Sequence, residues 1–240
     1  LVACNDDWCG LGSRVEWTPV VGRDYLLRVS GYNSQSGLFR LGLSGPDTLD
    51  EDCVQARTLG LGAHWVSLEA AHEIDGASSC GSSSPRPDRW FRFTAPALGT
   101  IRAKTCGTHD ALGVDLGVDT VISWHASCPG NGGNELACSD DSSSCLQIGA
   151  IRDSEISAPI NRAQTLFLRL SPYFPGIGDL VRLELSFDPA NDDCGDAISI
   201  GEGLTLGSLV GATNDGSATC SGTPGPDVWY SYTAPVSGKL

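Results

Sequence analysis

Short runs of carboxylates are the side chains of this sequence best placed to do chemistry. Asp50, Glu51 and Asp52 stand together, as do Asp140 and Asp141; Asp192/Asp193 and Asp6/Asp7 repeat them, with Asp88, Asp115 and Asp119 in neighbouring loops. Hard carboxylate oxygens converging from several loops are the ligands a calcium ion takes. The expected set is Asp119, Asp140 and Asp141, with Asp52 as a fourth. No contiguous EF-hand-like loop fixes such a geometry, and Asp beside a cysteine also serves in Asx turns. The histidines, His64, His72, His109 and His125, occur in neither a Gly-x-Ser-x-Gly nor a His-Glu-x-x-His context, and histidines in exposed loops are the commoner case. The acidic groups recur along the chain, which suits a structural turn better than a unique pair for glycoside hydrolysis. The sequence therefore points to no catalytic residue.

Ten cysteines without Cys-x-x-Cys pairs or Cys/His zinc spacing read as disulfides, and so as an oxidising compartment outside the cytosol. A formal net charge of -14 repels nucleic-acid phosphates and anionic lipid, which excludes both as natural partners and leaves soluble cations and neutral glycans. No apolar run approaches the ~20 residues of a membrane-spanning helix, so membrane insertion is not expected. Thirty glycines and thirteen prolines, clustered between short apolar runs, indicate many strands and tight turns.

The elements that must position these groups repeat along the chain. Asp88-Arg-Trp-Phe-Arg-Phe-Thr-Ala-Pro96 recurs as Asp227-Val-Trp-Tyr-Ser-Tyr-Thr-Ala-Pro235, Asp50-Glu-Asp-Cys53 as Asn191-Asp-Asp-Cys194, Val2-Ala-Cys-Asn-Asp-Asp7 as Leu136-Ala-Cys-Ser-Asp-Asp141, and Tyr25-Leu-Leu-Arg-Val-Ser30 as Leu166-Phe-Leu-Arg-Leu-Ser171. Four matches in one order divide the chain into the C-terminal part of a repeat (1–49), a complete repeat (50–189) and the N-terminal part of the next (190–240). The complete repeat has six cysteines, which allow fifteen connectivities. The front fragment carries only Cys194 and Cys220, copies of Cys53 and Cys80, and the back fragment only Cys4 and Cys9, copies of Cys138 and Cys145. If each fragment closes its own pair, the bridges are Cys4–Cys9, Cys53–Cys80, Cys138–Cys145 and Cys194–Cys220, leaving Cys106–Cys128.

Period-2 alternation is clearest where Leu166, Leu168 and Leu170 share one face and Phe167 and Arg169 the other, and again at Val181, Leu183 and Leu185 against Arg182 and Glu184. Further strands are expected at 59–66, 90–94, 100–104, 121–124, 147–151 and 155–160. About eight short strands per repeat suit an all-β, antiparallel, jelly-roll-like β-sandwich stapled by disulfides. Trp90 and Trp229 alternate with Phe91/Phe93 and Tyr230/Tyr232, so each indole is expected to cover the sheet face opposite the core rather than offer a sugar platform. Exposure of Trp8, Trp17 or Trp124 would instead favour binding. The serine runs at 82–84 and 142–144 are candidate O-glycan acceptors, whereas no Asn-x-Ser/Thr sequon is present.

Together, Asn/Asp-Asp-Cys, Asp-x-Trp-Tyr/Phe-x-Phe/Tyr-Thr-Ala-Pro, Thr-Cys-Gly, Asp-Thr and Leu-Ala-Cys-x-Asp-Asp-x-x-x-Cys resemble a repeat of large secreted proteins of environmental bacteria. That repeat is similar to bacterial pre-peptidase C-terminal domains and, more distantly, to CUB-like jelly rolls. The resemblance implies the sandwich fold, and calcium at the Asp119/Asp140/Asp141 loops, but not a function, because such modules accompany hydrolases, adhesins and surface structures alike. The function expected is a non-enzymatic, secreted or cell-surface structural repeat protein, a stalk or head-to-tail fibre, partnered by neighbouring repeats or copies of itself. The alternative is a glycan- or protein-binding accessory module of a larger secreted protein.

Overall fold

A computed structural model describes residues 1–6, 13, 15–37, 39, 41, 50–68, 78–81, 87–107, 118–145, 152–174, 180–216, 220 and 225–238. The chain divides into two units, residues 1–41 and 42–240. In the first, Trp17 and Tyr25 stack at 5.7 Å, Arg23 lies over the Tyr25 ring, and the Val20 amide donates to the Tyr25 hydroxyl. A 3-10 turn follows at Tyr32–Ser34.

The second unit holds eleven strands among its described residues: β1 (Arg57–Thr58), β2 (Gly62–Ser67), β3 (Arg89–Thr94), β4 (Gly99–Lys104), β5 (Thr120–His125), β6 (Glu135–Ser139), β7 (Glu155–Ile160), β8 (Thr165–Pro172), β9 (Leu180–Pro189), β10 (Ile198–Ser199) and β11 (Tyr230–Ser231). They form a five-stranded sheet in the order β1-β3-β8-β5-β6, a four-stranded sheet in the order β2-β9-β4-β7, and the pair β10-β11. The two larger sheets close on one core. Phe91, Phe93, Ile122, Trp124, Leu166, Leu168 and Leu170 from one sheet meet Val66, Ile101, Ala103, Ile156, Ile160 and the alternate residues Val181 to Phe187 of β9 from the other. The expected sandwich is thus present, and period-2 alternation decides which side chains enter it. The strand expected at 147–151 falls outside the described residues, and β6 was not anticipated. Two pairings are parallel: β1 with β3, with Arg57 opposite Phe91, and β10 with β11.

The outer face of the five-stranded sheet is also covered. Trp90 is buried with Cys53, Ala56, Cys128 and Phe167, as expected of an indole that seals the sheet. A Cβ on Gly130 would collide with that indole, so the loop lies directly on the ring and only glycine fits. Within this layer the Arg169 guanidinium donates to the Asp88 carboxylate at 2.6 Å, both side chains almost fully buried. Arg89 bonds to Asp50 and Glu51 at 3.2 Å each, so two of the three acids at 50–52 serve as counter-ions.

The disulfides overturn the fragment-based pairing. Cys53 joins Cys128, Cys80 joins Cys138 and Cys106 joins Cys145, in place of Cys53–Cys80, Cys106–Cys128 and Cys138–Cys145. Sheet order is the reason: β8 separates β3 from β5, and the loops that meet over the outer face come from distant parts of the chain. Each bridge therefore ties an early cysteine to a late one. Cys194 and Cys220 are exposed free thiols, so they do not form Cys194–Cys220; Cys4 is also free and exposed, which removes Cys4–Cys9, although Cys9 itself lies outside the described residues.

Three local features of residues 50–92 recur in residues 191–231. The Trp90 amide donates to the Asp50 carbonyl and the Trp229 amide to that of Asn191. 3-10 turns occupy Cys53–Gln55 and Cys194–Asp196. Ile198 lies opposite Tyr230 in a parallel pair, as Arg57 lies opposite Phe91.

Removing one member of the Asp88–Arg169 pair strands a buried charge. Arg169→Leu is expected to lower unfolding free energy by about 3–5 kcal/mol, with much of the loss recovered in the Asp88→Leu/Arg169→Leu double variant. Urea midpoints of the two variants and the parent, at unchanged denaturant slope, check this.

Candidate functional site

The β5–β6 hairpin sets the geometry of the acidic site. Ile122 lies opposite Ser139, so the residue entering β5 and those leaving β6 come to the same end of the hairpin. Asp119 precedes β5, and Asp140 and Asp141 follow β6; one oxygen from each lies within 4.8 Å of the other two. The backbone around them is fixed. The Tyr173 amide donates to the Asp119 carbonyl at 2.7 Å, the Thr120 amide to the Arg152 carbonyl at 3.0 Å, and the Ser154 hydroxyl to the Asp140 carbonyl. The Cys80–Cys138 bridge lies two residues before Asp140, and Gly81, at a φ of +72° that favours glycine, brings its backbone close to the Asp140 carboxyl.

The electrostatics of this cluster disfavour its charged form. Asp119 Oδ1 and Asp140 Oδ1 are buried without a hydrogen-bond partner, although buried acceptors are ordinarily satisfied. Burial, and then the charges of Asp140 and Asp141, push the Asp119 carboxyl up from 3.8 to about 6, against the opposing pull of Arg152. Burial and Asp141 likewise raise Asp140. Two orphaned hard oxygens beside a third carboxylate fit calcium in ligand type and charge. Carbonyls and water would have to supply the rest of its coordination.

Three of the four acids expected at a metal site thus come together, and Asp52 does not join them; it stands at the head of the 3-10 turn Cys53–Gln55, where its carbonyl accepts from the Gln55 amide and its side chain makes no capping bond. Asp192, the copy of Glu51, accepts from the amide and hydroxyl of Thr213 at 2.7 Å each and so ties together two stretches 21 residues apart. A second cluster, Cys106, Cys145 and Glu155, offers no thiolate, because its sulfurs are bridged.

Sequence reasoning missed a polar line on β5. His125 is buried rather than in an exposed loop; its Nε2 lies 2.9 Å from Ser123 Oγ and its Nδ1 3.1 Å from Asn134 Oδ1. Burial is the main cause of its lowered pKa. The order Ser-His-Asn matches that of a nucleophile, base and orienting group. Here serine and histidine are neighbours on one strand and both buried, the ring stands against Trp90 at 5.1 Å, and the Asn134 amide is engaged by Ser127 and Pro129 carbonyls. This arrangement clasps the hairpin and offers a substrate no access to the hydroxyl. The alternation Ser123-x-His125 was the available signal, readable once β5 was placed. Of the other histidines, His64 bonds the Gly60 carbonyl, and His72 and His109 lie outside the described residues. Trp124 is buried, Trp17 half-buried, and Trp8 outside the described residues. Ser142 and Ser144 bond each other on the surface, and 82–84 is not described. Among the described residues no helix is long and apolar enough to cross a membrane.

Comparison with known proteins places residues 190–240 in similarity to a T9SS-associated family described as galactose binding domain-like. The chain is also similar to the pre-peptidase C-terminal domain of collagenase from Bacillus anthracis, at 13% identity over 55% of this chain and 94% of that one, with a TM-score of 0.33. No curated protein matches.

Because the folded-state value of Asp119 lies above its ordinary one, its contribution favours the fold below pH 3.8 and is lost as pH rises through about 6. A bound cation reverses this penalty. Calcium at about 100 times its dissociation constant stabilises by about 2.7 kcal/mol, so millimolar calcium is expected to raise the melting temperature at pH 7.5 and far less at pH 5. Asp119→Asn should melt higher than the parent without calcium at pH 7.5 and show little response to it. An undiminished calcium shift in that variant would remove Asp119 from the site.

Proposed function

We propose that this chain is a non-catalytic extracellular module with an architectural role, one unit of a stalk or head-to-tail fibre whose hairpin loops are held by calcium. The observation that supports the reading is the recurrence of the β1–β3 parallel pair, the 3-10 turn and the Trp90 amide bond at β10–β11, Cys194–Asp196 and Trp229. A geometry repeated along one chain suits assembly from like parts. Three disulfides suit an oxidising extracellular setting, and the T9SS-associated family match of residues 190–240 supports secretion or cell-surface display. Ser123 and His125, the nearest approach to a catalytic pair, are sealed by packing.

Electron microscopy of the purified protein with and without a calcium chelator tests this reading. Regular filaments are expected with calcium, shortened or lost with chelator. Dispersed single particles at high concentration under both conditions would overturn it.

A second reading, an accessory module that binds glycan or protein, is favoured by the galactose-binding-like match of residues 190–240 and by a shallow cleft there, lined by Ile200, Thr205, Leu209, Val228 and Tyr230. It predicts retention of galactose-terminated glycans on an array and their loss in Tyr230→Ala. An array without hits in the presence of calcium would remove it.

A further inference from the structure

We propose that the outer face of the four-stranded sheet is a platform for a neutral polysaccharide: one sugar ring stacks on Trp65, and the rings next to it bond to the charged side chains beside the indole. This rests on the accessory-module reading above and places a site for it in the complete repeat, apart from the cleft at Tyr230.

Alternation builds the face. Val66, Ile101, Ala103, Ile156, Ala158 and the alternate residues Val181 to Phe187 enter the core, so the residues between them on β2, β9, β4 and β7 face outwards. Register then sets them in rows. Trp65 stands opposite Arg182, and Ala63 opposite Glu184; Glu184 stands opposite Lys104, and Lys104 opposite Glu155. In the next row Arg102 lies between Ser186 and Ser157. The small side chains at Ala63, Ser186 and Ser157 leave the ground between the charged ones low and flat. Four strands about 4.8 Å apart make a face about 14 Å across, long enough for a few sugar rings in line.

Three observations define the occupant. The first is exposure. Each of the two larger sheets carries an indole on its outer face; Trp90 is sealed to 0% exposure under the Gly130 loop, whereas Trp65, on the edge strand β2, is 46% exposed. The electron-rich face of an indole attracts the C–H face of a sugar ring. The second is charge. Arg182 meets Glu184 at 2.6 Å, Lys104 meets the same carboxylate at 3.3 Å, and Arg102 meets Glu155 at 3.3 Å and Asp188 at 3.4 Å. Three cations face three carboxylates, so the platform is neutral on a chain of formal net charge -14, and an anionic glycan gains nothing there to offset repulsion by the rest of the surface. The third is order. The ion pairs, with the Arg182 bond to the Cys106 carbonyl at 3.1 Å, hold partly exposed N–H donors and carboxylate acceptors in place, so hydroxyl groups find both at small entropic cost. A protein partner fits less well, because the centre of a protein interface is depleted in charged side chains and this one is built from them.

Affinity electrophoresis of the whole chain tests the platform, in native gels containing β-glucan, galactan, xylan or mannan and, in parallel, polygalacturonate or heparin. Retardation by at least one of the neutral polysaccharides is expected, unchanged by chelator and by salt between about 0.05 and 0.5 M, as befits an uncharged ligand. Trp65→Ala should weaken it at least about tenfold, the loss of a central aromatic anchor, at an unchanged melting temperature. Ala63→Arg, which gains Glu184 as counter-ion while crowding the indole, should do the same. Retardation that survives Trp65→Ala but is lost in Tyr230→Ala overturns the platform and leaves the accessory reading standing; retardation by none of the six overturns both. Retardation by the anionic polymers alone, or a dimer in sedimentation that Trp65→Ala turns into monomer, shows another occupant and overturns the platform.

Discussion

Arg169 lies in the middle strand of the five-stranded sheet, where it is only 3% exposed, and an unpaired guanidinium there would cost several kcal/mol. Asp88 answers it at 2.6 Å. Much else follows from holding that pair dry. The Trp90 indole lies beside it on β3, the Cys53–Cys128 bridge packs against the indole, and Gly130 permits the covering loop to lie flat on the ring. Asp50 and Glu51 then sit where they can neutralise Arg89. A sheet that was apolar on its outer face would need none of these partners, and the loops above it would have no fixed address.

The same arrangement explains what the sequence disclosed. Strands with one apolar face announce themselves by alternation, so β7, β8 and β9 were legible almost to the residue at Glu155–Ile160, Leu166 and Val181. β6 has no buried residue to mark a face, and β1 is a two-residue parallel contact; neither leaves a periodic trace. The disulfides were illegible for a different reason. Sequence proximity says which cysteines are near along the chain, whereas the order β1-β3-β8-β5-β6 says which are near in space. Asp119, Asp140 and Asp141 were found because a hairpin brings its two ends together by construction. Asp52 belongs to a turn outside that hairpin, and the sequence carries no sign of the separation. His125 was misread because the strand expected at 121–124 stopped one residue short of it, whereas β5 runs through His125.

The acidic character of the chain acquires a division of labour. Some carboxylates neutralise buried arginines, some, such as Asp192, tie distant stretches of backbone together, and the three at the hairpin end repel one another. The burial, and after it the mutual repulsion, that lift Asp119 to about 6 are unfavourable to the fold near neutral pH.

The three bridges interlock, because Cys80 and Cys106 lie between Cys53 and Cys128, while Cys138 and Cys145 lie beyond. Under mechanical load this acts as a tether. If the sandwich were pulled apart, force entering at Cys53 would pass straight to Cys128, leaving only the seventeen residues from there to Cys145 to pay out, about 60 Å at full extension. Without the bridges the same stretch would lengthen to about 320 Å. The module is therefore close to inextensible over its knotted half. A tug sufficient to break its hydrogen bonds would release little slack, and the sheets would remain near enough to re-form when the tension fell.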